Sequence, residues 1–436
     1  MTAKDPKVFS DRRTSGAFFI ADSGEWPKEP LVRPEELDAP PSPSRDTPHE
    51  IMEPAGFFEK ALARLEGSSR FAALGIRPGP ARDDASPAIQ ISAIASASAL
   101  LANRLEGFAG FSDSLTVSII LPGKGPEEAM GAADELLRAL ADTGSSNVFL
   151  GAAVFPQGVF TKSQALKNVE KALDHALFHG GGNLVFLDAV SLNVAADKLY
   201  QAGDMDGAVR ELLHALVLDP ENINVLNSLG VCHAVSGRNA EALARFTQAG
   251  GLAPADIMPV YNVGLIHLTE NRPEEALAHF EKALALEPEV FEVLFQAGRA
   301  SMDLGRTDEA ISFFEKAATA KPESFAAQKM LGKALADADR AKDAVKVYEK
   351  ALRIVGNDAE SLSMISLLYV KLETNTEIAV SFARQSVELE PSNGLFHFRL
   401  ARILEQVADR QEALAHYEEA MRLGYPVSEH LSRQGG

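Results

Sequence analysis

Cysteine is almost absent: Cys232 is the only one in 436 residues. That excludes a disulfide framework and a cysteine-based zinc site. Tryptophan is equally scarce, with Trp26 alone. Positive charge is in deficit, 42 Lys and Arg against 61 Asp and Glu, for a formal charge of −19. Nucleic acid and anionic membranes are held by a basic excess, and neither half of the chain has one, so neither partner is expected. No run approaches the ~20 apolar residues of a membrane-spanning helix. Met1–Lys7 lacks the apolar stretch of a signal peptide, so the expectation is a cytoplasmic protein with no membrane insertion. A phosphate loop of the G-x-x-x-x-G-K-[ST] type is missing. Ten histidines are scattered. His175 and His179 have the i, i+4 spacing of a metal pair, but no third ligand accompanies them, and no metal is expected.

What the chain has is a period. Pro220, Pro254, Pro288 and Pro322 stand 34 residues apart. Small residues run in phase with them: Ala208, Ala242, Ala276, Ala310, Ala344, Ala379 and Ala413. A second column is Ala215, Ala249, Ala283, Ala317, Ala351, Ser386 and Ala420, and a third is Gly230, Gly264, Gly298 and Gly332. A fixed period of this length is the mark of a solenoid in which stacked units supply the core. Small residues allow two helices to approach closely. Phe246, Phe280, Phe314, Tyr348 and Tyr417 are the large partners beside them. The proline ends one unit and opens the next. Gly356 replaces the expected proline in the fifth unit, the sixth carries one extra residue near Thr374–Thr376, and the seventh ends in Gly424-Tyr425-Pro426; such changes belong in turns between helices.

Each unit resembles a tetratricopeptide repeat (TPR). The third is the cleanest, with Val260-Tyr-Asn-Val-Gly264-Leu-Ile-His, then Glu275-Ala276-Leu-Ala-His-Phe280-Glu-Lys-Ala283-Leu and Pro288. The resemblance covers residues 189–436 in about seven copies. It implies an α-α superhelix that binds proteins or peptides.

Residues 1–55 read as a proline-rich, acidic and disordered tail. Trp26, with Phe18, Phe19 and Ile20, forms a sticky patch in a flexible segment or a short docking motif. Residues 56–188 alternate helices and strands, which indicates a small α+β domain. The expected elements are helix 56–65, strand 71–76, a buried Ala/Ser-rich helix 88–105, strand 114–121, helix 126–141, strand 147–155, helix 161–178 and strand 184–187.

This domain resembles the GGDEF (diguanylate cyclase) family, through Phe149-Leu-Gly151-Ala-Ala153-Val-Phe-Pro156 and through Leu173-Asp174-His-Ala176-Leu177-Phe178 followed by Gly181-Gly-Asn183-Leu-Val185. An unrelated ferredoxin-like domain is the other reading. The resemblance implies a site that this chain has lost. Its signature turn falls on Asp113-Ser114-Leu115-Thr116-Val117, without the glycines and the acidic pair. The metal-binding carboxylates of its first strand fall near Gly75–Arg77, where none stands, and Asp83 and Asp84 read as solvated loop. Its inhibitory motif falls on Arg104-Leu-Glu-Gly107 and lacks the aspartate. Phosphoryl transfer of this kind requires metal ions held by carboxylates, so no catalytic, cofactor or metal residues are expected.

In stacked two-helix repeats, the first helix of each unit lines the concave face. The positions expected there are Asn193, Asp197, Asn227, Val231, Asn262, Leu265, Arg299, Lys329, Lys333, Arg399 and Arg402. Amides and apolar groups occupy the first three repeats; cations occupy the fourth, fifth and seventh. Asn amides suit a peptide backbone, and cations suit carboxylates. The peptide-binding candidates are Asn227, Asn262, Arg299, Lys329, Lys333, Arg399 and Arg402, with an acidic peptide across repeats 2–5 as the expected ligand. Ordinary solvated cations are the competing account. Two functions follow: a non-catalytic scaffold or adaptor, or a nucleotide sensor whose GGDEF-like domain binds GTP or cyclic di-GMP and regulates the array. The resemblance implies a bacterial protein, with links to signalling, motility or secretion.

Overall fold

A computed structural model of the chain describes residues 51–54, 56–79, 87–142, 147–179 and 184–427. The tail patch of Phe18, Phe19, Ile20 and Trp26, the pair Asp83 and Asp84, the Gly180–Gly182 turn and Asn183 lie outside the described residues. The chain forms two compact units, Met1–Pro254 and Ala255–Gly436.

The first unit begins with α1 (Phe57–Arg64), β1 (Phe71–Pro78), α2 (Pro87–Arg104), β2 (Phe108–Phe111), β3 (Val117–Pro122), α3 (Pro126–Asp142), β4 (Val148–Phe155), α4 (Lys162–His179) and β5 (Leu184–Phe186). The sheet order is β2-β3-β1-β4-β5. β1 runs antiparallel to both neighbours, with Gly75 opposite Ser118 on β3 and Gly151 on β4. β5 joins β4 in parallel. β3 thus lies between β1 and β2, and β1 lies between β3 and β4, so two crossovers interlock. Met52 makes an isolated parallel bridge to Gly110 at the free edge of β2.

Both sheet faces are covered. One core joins Ala72, Leu74, Ile76, Ile119 and Leu121 to Ile94 and Leu101 of α2 and to Leu136 and Leu140 of α3. The opposite face meets α1 and α4. Gly151 is required there: a Cβ would stand 2.2 Å from the backbone nitrogen of Leu173, so α4 rests directly on the strand.

Two expectations change. The strand assigned to 114–121 starts at Val117, because the Asp113 carboxylate accepts hydrogen bonds from the amides of Leu115 and Thr116 and bends the chain into a hairpin turn. β2, which precedes that turn, has no counterpart in the expected elements; Phe108-Ala-Gly-Phe111 is too short to show alternation. The helix expected at 88–105 forms, but it is not buried all round. Ile89 and Leu100 on α2 are 63% and 55% exposed.

The first unit continues into two helical pairs, α5 (Ala189–Gln201) with α6 (Met205–Leu218) and α7 (Ile223–Val235) with α8 (Asn239–Leu252). Asp188 caps α5 in a reciprocal box with Ser191, which satisfies amides that the helix start leaves unpaired. The core on the α4 side of the sheet runs on into these pairs, from Phe71 and Leu166 through Leu192 and Ala196 to Leu212 and Leu229. Lys171 of α4 pairs with Glu211 of α6 at 2.7 Å, and Lys198 of α5 with Asp174 of α4 at 2.7 Å.

The second unit holds five pairs: α9 (Ile257–Thr269) with α10 (Pro273–Leu286), α11 (Phe291–Asp303) with α12 (Thr307–Ala320), α13 (Phe325–Asp337) with α14 (Ala341–Ile354), α15 (Ala359–Lys371) with α16 (Thr376–Leu389), and α17 (Gly394–Gln406) with α18 (Arg410–Arg422). The periodic columns pack within pairs and between successive ones; Ala317 of α12 shares a core with Leu294 of α11 and Ala327 of α13. Ala276, Ala310, Ala344 and Ala379 are fully buried, as are Ala283, Ala317 and Ala351. The prolines of the column stand just past the second helices. The extra residue of the sixth repeat falls between Lys371 and Thr376, in the turn.

Candidate peptide-binding face and the α+β domain

The first helices carry two columns that vary in chemical type, while the packing columns hold small or aromatic residues. One reads Asn193, Asn227, Tyr261, Phe295, Lys329, Ser363 and Phe398; the other reads Asp197, Val231, Leu265, Arg299, Lys333, Leu367 and Arg402. In the first unit, Asn193 is half-buried and its side-chain oxygen has no hydrogen-bond partner among the described residues. Asp197 accepts from Gln201 at 3.1 Å, and burial holds its carboxyl above the usual range. Asn227 is 8% exposed and Val231 is fully buried. Cys232 is also buried, and burial pushes its thiol up to about 11.

In the second unit, Asn262 and Leu265 are buried. Half-buried Arg299 donates to Gln296 at 3.2 Å. Lys329 is already occupied: its ammonium lies 3.1 Å from Asp358 and 2.8 Å from Glu360. Burial pulls its pKa down, but the hydrogen bonds it donates to Glu360 and Asp358 outweigh that and hold it above the lysine range. Arg399 donates to the Ser363 hydroxyl at 3.0 Å, and burial lowers its pKa. Lys329 and Arg399 therefore tie α13 and α17 to α15. Lys333 is exposed and makes no ion pair among the described residues; Arg402 is half-buried. The residues that sequence reasoning did not single out are Asp358, Glu360 and Ser363. Asp358 carries a readable signal, since it stands one period after the N-cap Ser324 and caps α15.

In the α+β domain, the turn from Asp113 to Val117 is closed by the chain itself. Arg77 donates to the Thr116 hydroxyl at 3.0 and 2.8 Å and to Asp113 at 3.1 Å. A guanidinium thus stands at the end of β1, and Asp113 accepts from Arg77 and from the amides of its own turn. Arg104 pairs with Glu135. His175 is buried, 2.9 Å from the Ser191 hydroxyl and 3.4 Å from Asp188, so it braces α4 against the start of α5. Among the described residues no group of three His, Cys, Asp or Glu side chains could hold a metal ion, and no helix is long and apolar enough to cross a membrane.

Tetratricopeptide-repeat profiles match residues 193–257, 261–325, 301–368 and 397–429. The helical pairs are tetratricopeptide repeats. Among solved structures, the chain is similar to MamA from Desulfovibrio magneticus RS-1, at 25% identity over 38% of this chain and 94% of that one, with a TM-score of 0.37. It is also similar to YrrB, described as a TPR protein with an unusual peptide-binding site, at 24% identity over 43% and 97%, TM-score 0.39. A third is PilF of Pseudomonas aeruginosa, at 20% identity over 50% and 97%, TM-score 0.44. No curated protein matches the chain.

Proposed function

We propose that the chain is a non-catalytic protein–protein interaction scaffold whose repeats bind an extended, acidic segment of a partner. The observation that carries this reading is the contrast between columns. The packing columns keep alanine, glycine or an aromatic ring in most repeats, while the positions of the two first-helix columns that reach solvent change in kind, from Asn193 and Asp197 to Phe295, Arg299, Lys333 and Arg402. A solenoid that only needed to fold would have no use for that variation; a concave binding surface does. Within the second unit, Arg299, Lys333 and Arg402 are the proposed carboxylate contacts. Lys329 and Arg399 hold helices in place and act on the ligand through that. Asn227 and Asn262 are 8% and 0% exposed, so neither amide is counted among the ligand contacts.

On this reading residues 1–55 form a tail, 56–188 a degenerate GGDEF-like domain of ferredoxin-like topology, and 189–436 the binding array. The interlocked crossovers and the strand containing Gly151 support the middle assignment. The protein works in the bacterial cytoplasm as an adaptor. The alternative, a sensor of GTP or cyclic di-GMP, is disfavoured by the bonds from Arg77 to Thr116 and Asp113, which a phosphate or a metal would have to displace.

The test is fluorescence anisotropy of labelled glutamate-rich peptides, with serine-for-glutamate versions as controls, against the full chain and its Arg299→Glu/Lys333→Glu variant. Expected is a preference for the acidic peptides and at least a tenfold loss in the variant, since two charge-assisted contacts of about 1.5 kcal/mol or more are reversed. Equal affinity of variant and wild type would remove these residues from the site.

A further inference from the structure

Among the described residues, the α2/α3 layer of the α+β domain leaves an apolar face open. From Ala88 to Asn103, α2 carries no charged residue. Its inner side chains Ile94, Leu101 and Ala102 are buried against the sheet, while Ile89 and Leu100 stand exposed on its other side. Ala93 and Ala97 are only partly buried between these two rims. Met130 on neighbouring α3 is 52% exposed. Three of the four large exposed apolar side chains described in residues 51–188 belong to this layer; the fourth is Val159. Small uncharged side chains flanked by two aliphatic ones make a shallow seat suited to an aromatic cluster.

The sequence carries such a cluster within tether reach of this face. Ile51 packs into the core on the α2/α3 side, and Met52 extends the edge of β2 through hydrogen bonds with Ala109 and Phe111. The residues before Ile51 are therefore anchored at the margin of this layer. They include Phe18-Phe19-Ile20 and Trp26, followed by a proline-rich spacer. The 25 residues from Trp26 to Ile51 reach up to about 80 Å when extended, while α2 is about 27 Å long. The tether spans the face with ample slack and holds the cluster near it at high effective concentration.

We propose that the segment from Phe18 to Trp26 docks in cis on the exposed face of α2, between Ile89 and Leu100. A second copy of the chain on the same face is the competing occupant. The tether favours the chain's own segment, because it acts at any protein concentration.

Trp26 is the only tryptophan, so intrinsic fluorescence of the full chain reports on this contact without background. Acrylamide quenching and the emission maximum would be compared for wild type, Ile89→Glu/Leu100→Glu and Val159→Glu, at several protein concentrations. The substituted positions are exposed, and circular dichroism checks that each variant is folded. Expected is a blue-shifted, several-fold less quenchable Trp26 in wild type and Val159→Glu, released to solvent in the Ile89→Glu/Leu100→Glu variant and unchanged on dilution. A solvent-like Trp26 in wild type overturns the proposal. So does protection that survives the α2 substitutions, and protection that is lost on dilution assigns the face to a second copy instead.

Discussion

Glycine shows how one residue type carries opposite meanings in this chain. At Gly230 on α7, an added Cβ would stand 2.4 Å from the Phe246 ring, and the same relation recurs between Gly264 and Phe280 and between Gly298 and Phe314, each at 2.6 Å. The aromatic ring of each second helix lies directly on the first, and only hydrogen fits beneath it. At Gly131 on α3, nothing lies within 4 Å of the added atom. Replacing a helical glycine by alanine gains about 0.5–1 kcal/mol of helix stability. Gly131→Ala should gain about that much. Gly230→Ala receives the same gain but must displace a buried ring, at a cost of about 1–3 kcal/mol. Thermal unfolding followed by circular dichroism should show Gly131→Ala raised and Gly230→Ala lowered relative to wild type.

At the scale of elements, the ties between neighbouring first helices matter most in the second unit. Asp358 caps α15 through the Ser361 amide at 2.8 Å and also holds Lys329 of α13. Burial raises its pKa, but the bonds from Ser361 and Lys329 outweigh this and leave it below the usual aspartate value of 3.8. A depressed carboxylate stabilises the fold above its unfolded pKa and loses that contribution as pH falls through the folded value. Lys329 has the opposite sign: its contribution is complete below the ordinary lysine range and is lost as pH rises through the raised value. The tie is therefore intact at neutral pH and fails first in acid. Asp358→Ala should cost about 1–2 kcal/mol at neutral pH, from the lost cap and the stranded lysine. The difference in Tm between this variant and wild type should shrink as pH is lowered below 3.8. A constant difference across that range would mean that the carboxylate contributes through packing alone.

At the scale of the molecule, the first unit joins a sheet and two repeats in one core. Leu192 and Ala196 of α5 are covered in part by α4, and the pairs Lys171–Glu211 and Lys198–Asp174 fasten the same boundary. A repeat cannot bury its apolar face alone, and here the α+β domain covers the first one. A chain beginning at Ala189 would expose that face and lose His175 as a brace for Ser191. Hydrogen exchange should then show α5 and α6 opening several-fold faster than in the full chain, with α10–α14 unaffected. Equal protection of α5 in both would mean that the first repeat is stable without its cover.

The repeats could be read directly from the chain because their determinants are local and recur. A glycine under a ring, an alanine at a crossing and a proline after a helix leave the same mark every 34 residues. Several helix starts carry a local mark of the same kind, in caps such as Asp188, Ser324 and Asp358. The sequence alone thus determined the repeat class and its number of units. Tertiary structure decided what distance along the chain conceals. Lys329 meets Asp358 29 residues away, and Arg399 meets Ser363 36 residues away, so two of the cations expected to face a ligand serve the fold. β2 is too short for a pattern and exists because β3 pairs with it. The apolar run of α2 suggested burial on all sides, yet a helix lying over a single sheet buries one face and leaves the other open.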